Sequence, residues 1–341
     1  MSELSVTKIT DRVGTGKVNF SQGFKVAGTL DTTLAPTRTE GNTEPATPVN
    51  GDTWYDTDND TYDVYINDEW KRFLGSGGGG GWTIDLNNFS YDNVSFSVSG
   101  QESGCREVRF SADGTKMYIV GSAGNTVHQY SLSTASDLST ASYDSVSFSV
   151  ASQQTGTAAL NFNPDGTKMY VTGYASDTVH QYSLSTAFNV STASYASKSF
   201  YLGNQEVAPR SIVFNVDGTK MYVAGPGSDA IFEYDMSTAY DVSTASYNNV
   251  SLSVSSEDNT AVGWVFNSDG TKAILGGDGN NSIFQYSLST AYDLSTASYD
   301  SVSFSITSQE AAFEGVTFNT DGTKMYIIGG NNTVYQYSTG L

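Results

Sequence analysis

The chain has 341 residues, a formal net charge of −20 and only 16 basic residues, which argues against nucleic acid or an anionic membrane surface as partner. Its single cysteine permits no intramolecular disulfide, and no apolar run reaches the ~18 residues of a membrane span. The opening Met1-Ser2-Glu3-Leu4-Ser5-Val6-Thr7-Lys8 lacks the basic and apolar regions of a signal peptide, so none is expected.

Residues 1–28 alternate over 4–9, 18–20 and 24–26, broken by Gly14, Gly16 and Gly23. So small a piece cannot own a core and is expected to pack on copies of itself or on a partner. Gly14-Thr15-Gly16-Lys17 imitates a phosphate loop, but the glycine spacing is wrong, Val18 replaces the Ser or Thr, and no helix is expected to follow. Residues 29–50 hold Pro36, Pro45 and Pro48 among Thr, Asn and Glu, the composition of an extended, semi-rigid linker. Residues 51–74 contain three short runs separated by turn residues, which predicts a small three-stranded meander. Asp56, Asp58 and Asp60 look like the start of a calcium loop, yet Thr61 and Asn67 stand where glycine and a bidentate carboxylate are needed. A solvated turn fits better. The glycines of 75–81 form a flexible tether and mark a domain boundary.

From Trp82 onward one hexapeptide governs the chain. Asp113-Gly114-Thr115-Lys116-Met117-Tyr118 recurs at Asp165, Asp217 and Asp321, and as Asp269-Gly270-Thr271-Lys272-Ala273-Ile274, in steps of 52 residues. An apolar run ending in Phe110, Phe162, Phe214, Phe266 or Phe318 precedes each copy, and a second strand follows, so each Asp-Gly is read as a hairpin corner. A third strand ends at Tyr130, Tyr182, Tyr234, Tyr286 or Tyr337. A fourth alternates strictly, as in Val146-Ser147-Phe148-Ser149-Val150. Four strands per period make one propeller blade. The first copy of the fourth strand, Val94-Ser95-Phe96-Ser97-Val98, comes before the first hairpin, and none follows the last third strand. The fold expected is therefore all-β, a five-bladed β-propeller over 82–341. Its N-terminal strand closes the C-terminal blade and removes the sheet edge of an open array.

Within that frame the even spread of the turn lysines reads as local Asp–Lys pairing. His128 and His180 share a register with Phe232, Phe284 and Tyr335, which marks a packing position, and two His are too few for zinc. A polar pair enters every first strand: Gln101-Glu102, Gln153-Gln154, Gln205-Glu206, Glu257-Asp258 and Gln309-Glu310. It is either a hydrogen-bonded collar between blades or a set of five equivalent sugar-binding clefts. Just beyond it the repeat breaks, and Arg106, Glu107, Arg210 and Glu314 are expected to gather at one end of the channel, where their charges can cancel. No acidic pair stands in a catalytic motif, Cys105 has no distinctive partner, and no Ser-His-Asp set is suggested. No catalytic residue, metal or cofactor is expected.

Asn163-Pro164-Asp165-Gly166-Thr167-Lys168-Met169-Tyr170-Val171 resembles the blades of the broad YVTN-type and WD-like propeller proteins. Gly51-Asp52-Thr53-Trp54-Tyr55-Asp56-Thr57, followed by Tyr62-Asp63-Val64-Tyr65-Ile66-Asn67-Asp68-Glu69-Trp70, resembles a module of tail fibres and other virion proteins of tailed bacteriophages. The second resemblance implies a non-enzymatic tail fibre, assembled in the host cytoplasm and located in the virion. It would be a homotrimer held to other virion proteins by its fibre-like N-terminal region, displaying the propeller to a host-surface glycan or protein. A head fibre or decoration protein of the capsid is the nearest alternative, and a lectin or polysaccharide-degrading enzyme the next.

Overall fold

The computed structural model describes residues 82–341 in full and, before them, the backbone of six short strands between Ile9 and Phe73. The glycines of 14–17, Asp58, Asp60 and the tether of 75–81 lie outside the described residues. The chain divides into two compact units, Met1–Gly80 and Gly81–Leu341.

In the first unit Ile9–Thr10 pairs with Asn19–Phe20. Thr53–Asp56, Thr61–Ile66 and Glu69–Phe73 form successive antiparallel pairs. Arg38–Gly41 joins that sheet as a fourth strand, parallel to Thr53–Asp56. The stretch expected to be linker thus contains a strand. Arg38 to Gly41 contains no proline, so every residue there keeps the N–H that a ladder needs.

The second unit is a five-bladed β-propeller of four-stranded antiparallel blades. Blade II shows the plan: Thr157–Phe162 lies innermost, followed outward by Lys168–Gly173, Thr178–Leu184 and Ala193–Tyr201. The inner strands of the other blades are Cys105–Phe110, Ser211–Phe214, Ala261–Phe266 and Phe313–Phe318, each beside its neighbours around the axis. Ser90–Ser97 pairs with Thr333–Ser338 and forms the outer strand of blade V, so the ring closes as the displaced repeat requires.

The hexapeptide has a job at every position. Asp165 accepts from the amide (2.8 Å) and hydroxyl (2.6 Å) of Thr167, fixing the corner, and Gly166 supplies the positive φ of 69°. Met169 is buried in the core between blades. Tyr170 lies against Phe214 of the next blade, with centroids 4.5 Å apart, and donates its hydroxyl to the carbonyl of Tyr240 at 2.8 Å. Tyr118, Tyr222 and Tyr326 repeat both contacts. The lysines depart from expectation. Rather than pairing with the turn aspartates, Lys116, Lys272 and Lys324 reach across the sheet to Asp144, Asp300 and Asp92. Those turn aspartates are already engaged by their own threonines.

A second tie was not visible in the sequence. Short 3-10 turns, such as Val190–Thr192, stand before every outer strand. Their first amides are met by a side chain from the preceding blade: Gln129 to Val190 (3.1 Å), Gln181 to Val242 (3.1 Å), Glu233 to Leu294 (3.0 Å), Gln285 to Leu86 (3.0 Å) and Gln336 to Leu138 (2.8 Å). The Gln or Glu before each third-strand Tyr is therefore an inter-blade strap.

This design sets the acid limit of the fold. Partial burial alone would raise the carboxyls of Asp92, Asp144 and Asp300, but hydrogen bonds from Lys, Ser and Gln outweigh it and hold them below the ordinary 3.8. Groups depressed in the folded state contribute stability above their unfolded value and lose it as pH falls through the folded one. Thermal melts should hold steady down to about pH 4 and fall steeply below 3.8. An unchanged melting temperature at about pH 3 would remove these pairs from the account.

Candidate functional site

Both members of each polar pair turn into their own blade. Tyr130, Tyr182, Tyr286 and Tyr337 donate to Gln101, Gln153, Glu257 and Gln309 at 3.0 to 3.3 Å. Gln205 holds the same place in blade III, where the Tyr234 hydroxyl is buried without a partner. The second members are almost wholly buried. Glu102 accepts from the amides of Gly104 and Gly124, and Glu206 from those of Ala208 and Gly227. Asp258 takes Thr260, Gly279 and Asn280, and Glu310 takes Ala312. Gln154 instead donates to the carbonyl of Gly173 and the hydroxyl of Ser176. These bonds tie loops within each blade rather than blade to blade.

The residues that break the repeat do meet. Arg106, Arg210 and Glu314 occupy one register of blades I, III and V, where blades II and IV carry Ala158 and Val262. Glu314 is clamped between the two guanidiniums: Oε1 accepts from Arg106, and Oε2 from Arg210 at 2.9 Å. Arg106 also donates to Ser122 at 3.4 Å. The two arginine side chains remain 21 % and 22 % exposed and Glu314 10 %, so the cluster borders solvent. Burial raises the Glu314 carboxyl above its ordinary value. Arg210 and Arg106 oppose that rise, and the nearby charge of Asp278 adds to it.

Glu107 belongs one position deeper and does not join them. Its Oε2 receives Arg109 at 3.0 Å and its Oε1 the amide of Val108 at 3.1 Å. Burial pushes its carboxyl up to about 7, against the pull of Arg109. Arg109, not singled out by sequence, also donates to Leu160 O at 2.9 Å and Val316 O at 3.3 Å. It bolts blade I to blades II and V inside the channel. Its signal was present: it is the one cation in a register otherwise holding Asn161, Val213, Val265 and Thr317. Asn161 makes the corresponding reach, to Ile212 O at 2.9 Å.

His128 and His180 pack against Tyr143 and Tyr195. Among the described residues no group of three His, Cys, Asp or Glu is placed to hold a metal ion. The Cys105 thiol is buried and pushed up to about 12, chiefly by desolvation, so it is no nucleophile in the folded state.

Residues 81–260 match the family described as "Lactonase, 7-bladed beta-propeller", a stretch longer than half of the chain. The chain belongs to this lactonase family. It closes with five blades where the family description gives seven. No curated protein matches it. Similar solved structures include a functionally unknown protein from Desulfotomaculum acetoxidans (12 % identity, TM-score 0.42, covering 66 % of this chain and 62 % of that one). Two candidate 6-phosphogluconolactonases are also similar. The one from Bacteroides uniformis has 11 % identity and a TM-score of 0.43, covering 82 % and 75 %; the one from Bacteroides fragilis has 13 % and 0.42, covering 72 % and 64 %. The chain thus spans about three-fifths of the first of these proteins.

The family match overturns the virion reading in both its tail-fibre and head-fibre forms. With it go the virion location, the adhesive role and the expectation of no enzyme. The residues behind that reading, 51–70, lie wholly outside the matched stretch. Their sequence alternates aromatic runs with Asp-rich stretches, a pattern that any small meander can produce.

Proposed function

We propose that this lactonase-family propeller is a hydrolase that opens lactone rings at the channel mouth formed by Arg106, Arg210 and Glu314. The observation that carries the reading is the convergence of three non-repeated charges at one register of a ring whose blades otherwise agree. A repeated residue serves each blade, whereas a single site has to be assembled from departures.

The chemistry follows from the donor set. Glu314 takes a proton from water as the water oxygen attacks the lactone carbonyl. Arg106 and Arg210 donate to the oxyanion that forms, in a site bordered by buried carboxylates and apolar strands. The acyl–oxygen bond of the ring then breaks, and the proton held by Glu314 passes to the leaving alkoxide. A hydroxy acid is released and no other reactant is consumed. Arg109 and Glu107 hold the inner strands beneath these groups. Gly315 keeps the backbone beside Glu314 close to its neighbour, since a Cβ there would stand 2.7 Å from the carbonyl oxygen of Arg106.

A pH-stat assay over a panel of four-, five- and six-membered lactones tests the reading. Acid release above the spontaneous rate is expected for at least one, and Arg106→Ala with Arg210→Ala should lower it by about 10²-fold or more. Release no faster than in buffer across the panel would reject the proposal.

A further inference from the structure

Resting on that reading, we infer that the substrate is an uncharged lactone and that the mouth discriminates against phosphorylated or carboxylated ones. The charges at the mouth balance. Its cations are Arg106, Arg210 and, deeper, Arg109. Its carboxylates are Glu314 and Asp278, the latter close enough to interact with both Arg106 and Arg210, while Glu107 lies deeper against Arg109. At the mouth Arg106 and Arg210 face Glu314 and Asp278, and the deeper Arg109 is engaged by Glu107, which leaves no unopposed cation for a phosphate.

Each guanidinium already places one N–H on a different oxygen of Glu314, so a second anion would share both cations with a carboxylate fixed to its own strand and be repelled by it. Four more carboxylates stand in the loops that enter the inner strands: Glu102, Glu206, Asp258 and Glu310. They are met by backbone amides. None of the four forms an ion pair with a cation among the described residues. Residues 82–341 themselves carry many more Asp and Glu than Lys and Arg. An approaching anion is therefore repelled at long range and finds balanced charge at the mouth, whereas a neutral ring offers only its carbonyl oxygen to the arginines.

Charge selection is read by comparing glucono-1,5-lactone with its 6-phosphate. The neutral ring is expected to have a kcat/KM about tenfold or more above the phosphate at low salt, with the gap narrowing as salt screens the field. A phosphate ester that is hydrolysed equally well or better overturns the inference and leaves the hydrolase reading standing. If neither is opened, inorganic phosphate titrated calorimetrically into the full chain still decides the matter. Wild type should give no binding heat, while Glu314→Gln, which removes the negative charge from between the two guanidiniums, should bind phosphate. Phosphate binding by the wild type, or none by the variant, overturns the inference.

Discussion

A chain beginning at Gly100 should fail to form a cooperative propeller, whereas one beginning at Gly81 should fold. The closing segment does more than hide an edge. Asp92 accepts from Lys324 (2.7 Å), Gln336 (2.8 Å) and Ser338 (2.6 Å), joining the last two strands of the chain. Trp82 lies against Phe318 at 4.7 Å and beside Gly322, in the place that Phe188, Tyr240 and Tyr292 hold beside the turn glycines of blades II to IV. Leu86 takes the strap from Gln285. Ile84, Leu86, Phe89 and Val98 are all buried. At about 1.5–3 kcal/mol for each buried side chain, their loss alone is comparable to the ~5–15 kcal/mol that separates folded from unfolded domains. The unpaired edge of Thr333–Ser338 would add an aggregation template. Circular dichroism and gel filtration of the two chains give the answer. A sharp melt of the shorter chain at the temperature of the longer one would refute the closure argument.

That closure was legible because counting repeats is a matter of sequence alone. The offset of Val94-Ser95-Phe96-Ser97-Val98 fixed both the number of blades and the way the ring shuts. The partners of repeated polar residues were not legible, because periodicity says which positions are equivalent but not which neighbour each one meets. Gln129 and Tyr118 act on the following blade, Glu102 on its own, and Lys116 on the outer strand of its own sheet. Only the three-dimensional register separates these cases.

The site itself was half visible. Arg106, Arg210 and Glu314 announced themselves by departing from the repeat at one register, and they meet. Glu107 was grouped with them by adjacency. Successive strand residues point to opposite sides, although a register shift between Cys105 and Glu107 disturbs that alternation here, and Glu107 ends up paired with Arg109. The functional class was misread because the short aromatic module at 51–70 carried the inference, while the larger repeated unit carried the family. A small sheet with Asp-rich turns is compatible with many proteins. A long match across several blades is not.

Glu314→Gln should lower kcat/KM by about 10² to 10⁴-fold while leaving the fold in place. The amide keeps the shape and the acceptor oxygen but cannot take a proton from water. Structural loss should be small for two reasons. Arg106 and Arg210 retain roughly a fifth of their side-chain exposure, so water can solvate both once the carboxylate is gone. The neighbouring Arg109–Glu107 pair does not touch Glu314 and continues to bridge blades I, II and V. The pH profile separates a base from a mere anchor. Burial raises the Glu314 carboxyl above 4.5, so activity should climb through an acidic limb displaced upward from that value. Arg210→Ala removes the largest opposing charge and should move the limb higher still. A Glu314→Gln enzyme within about twofold of wild type would take catalysis away from Glu314. A limb that stays put in Arg210→Ala would show that another group sets the pH dependence.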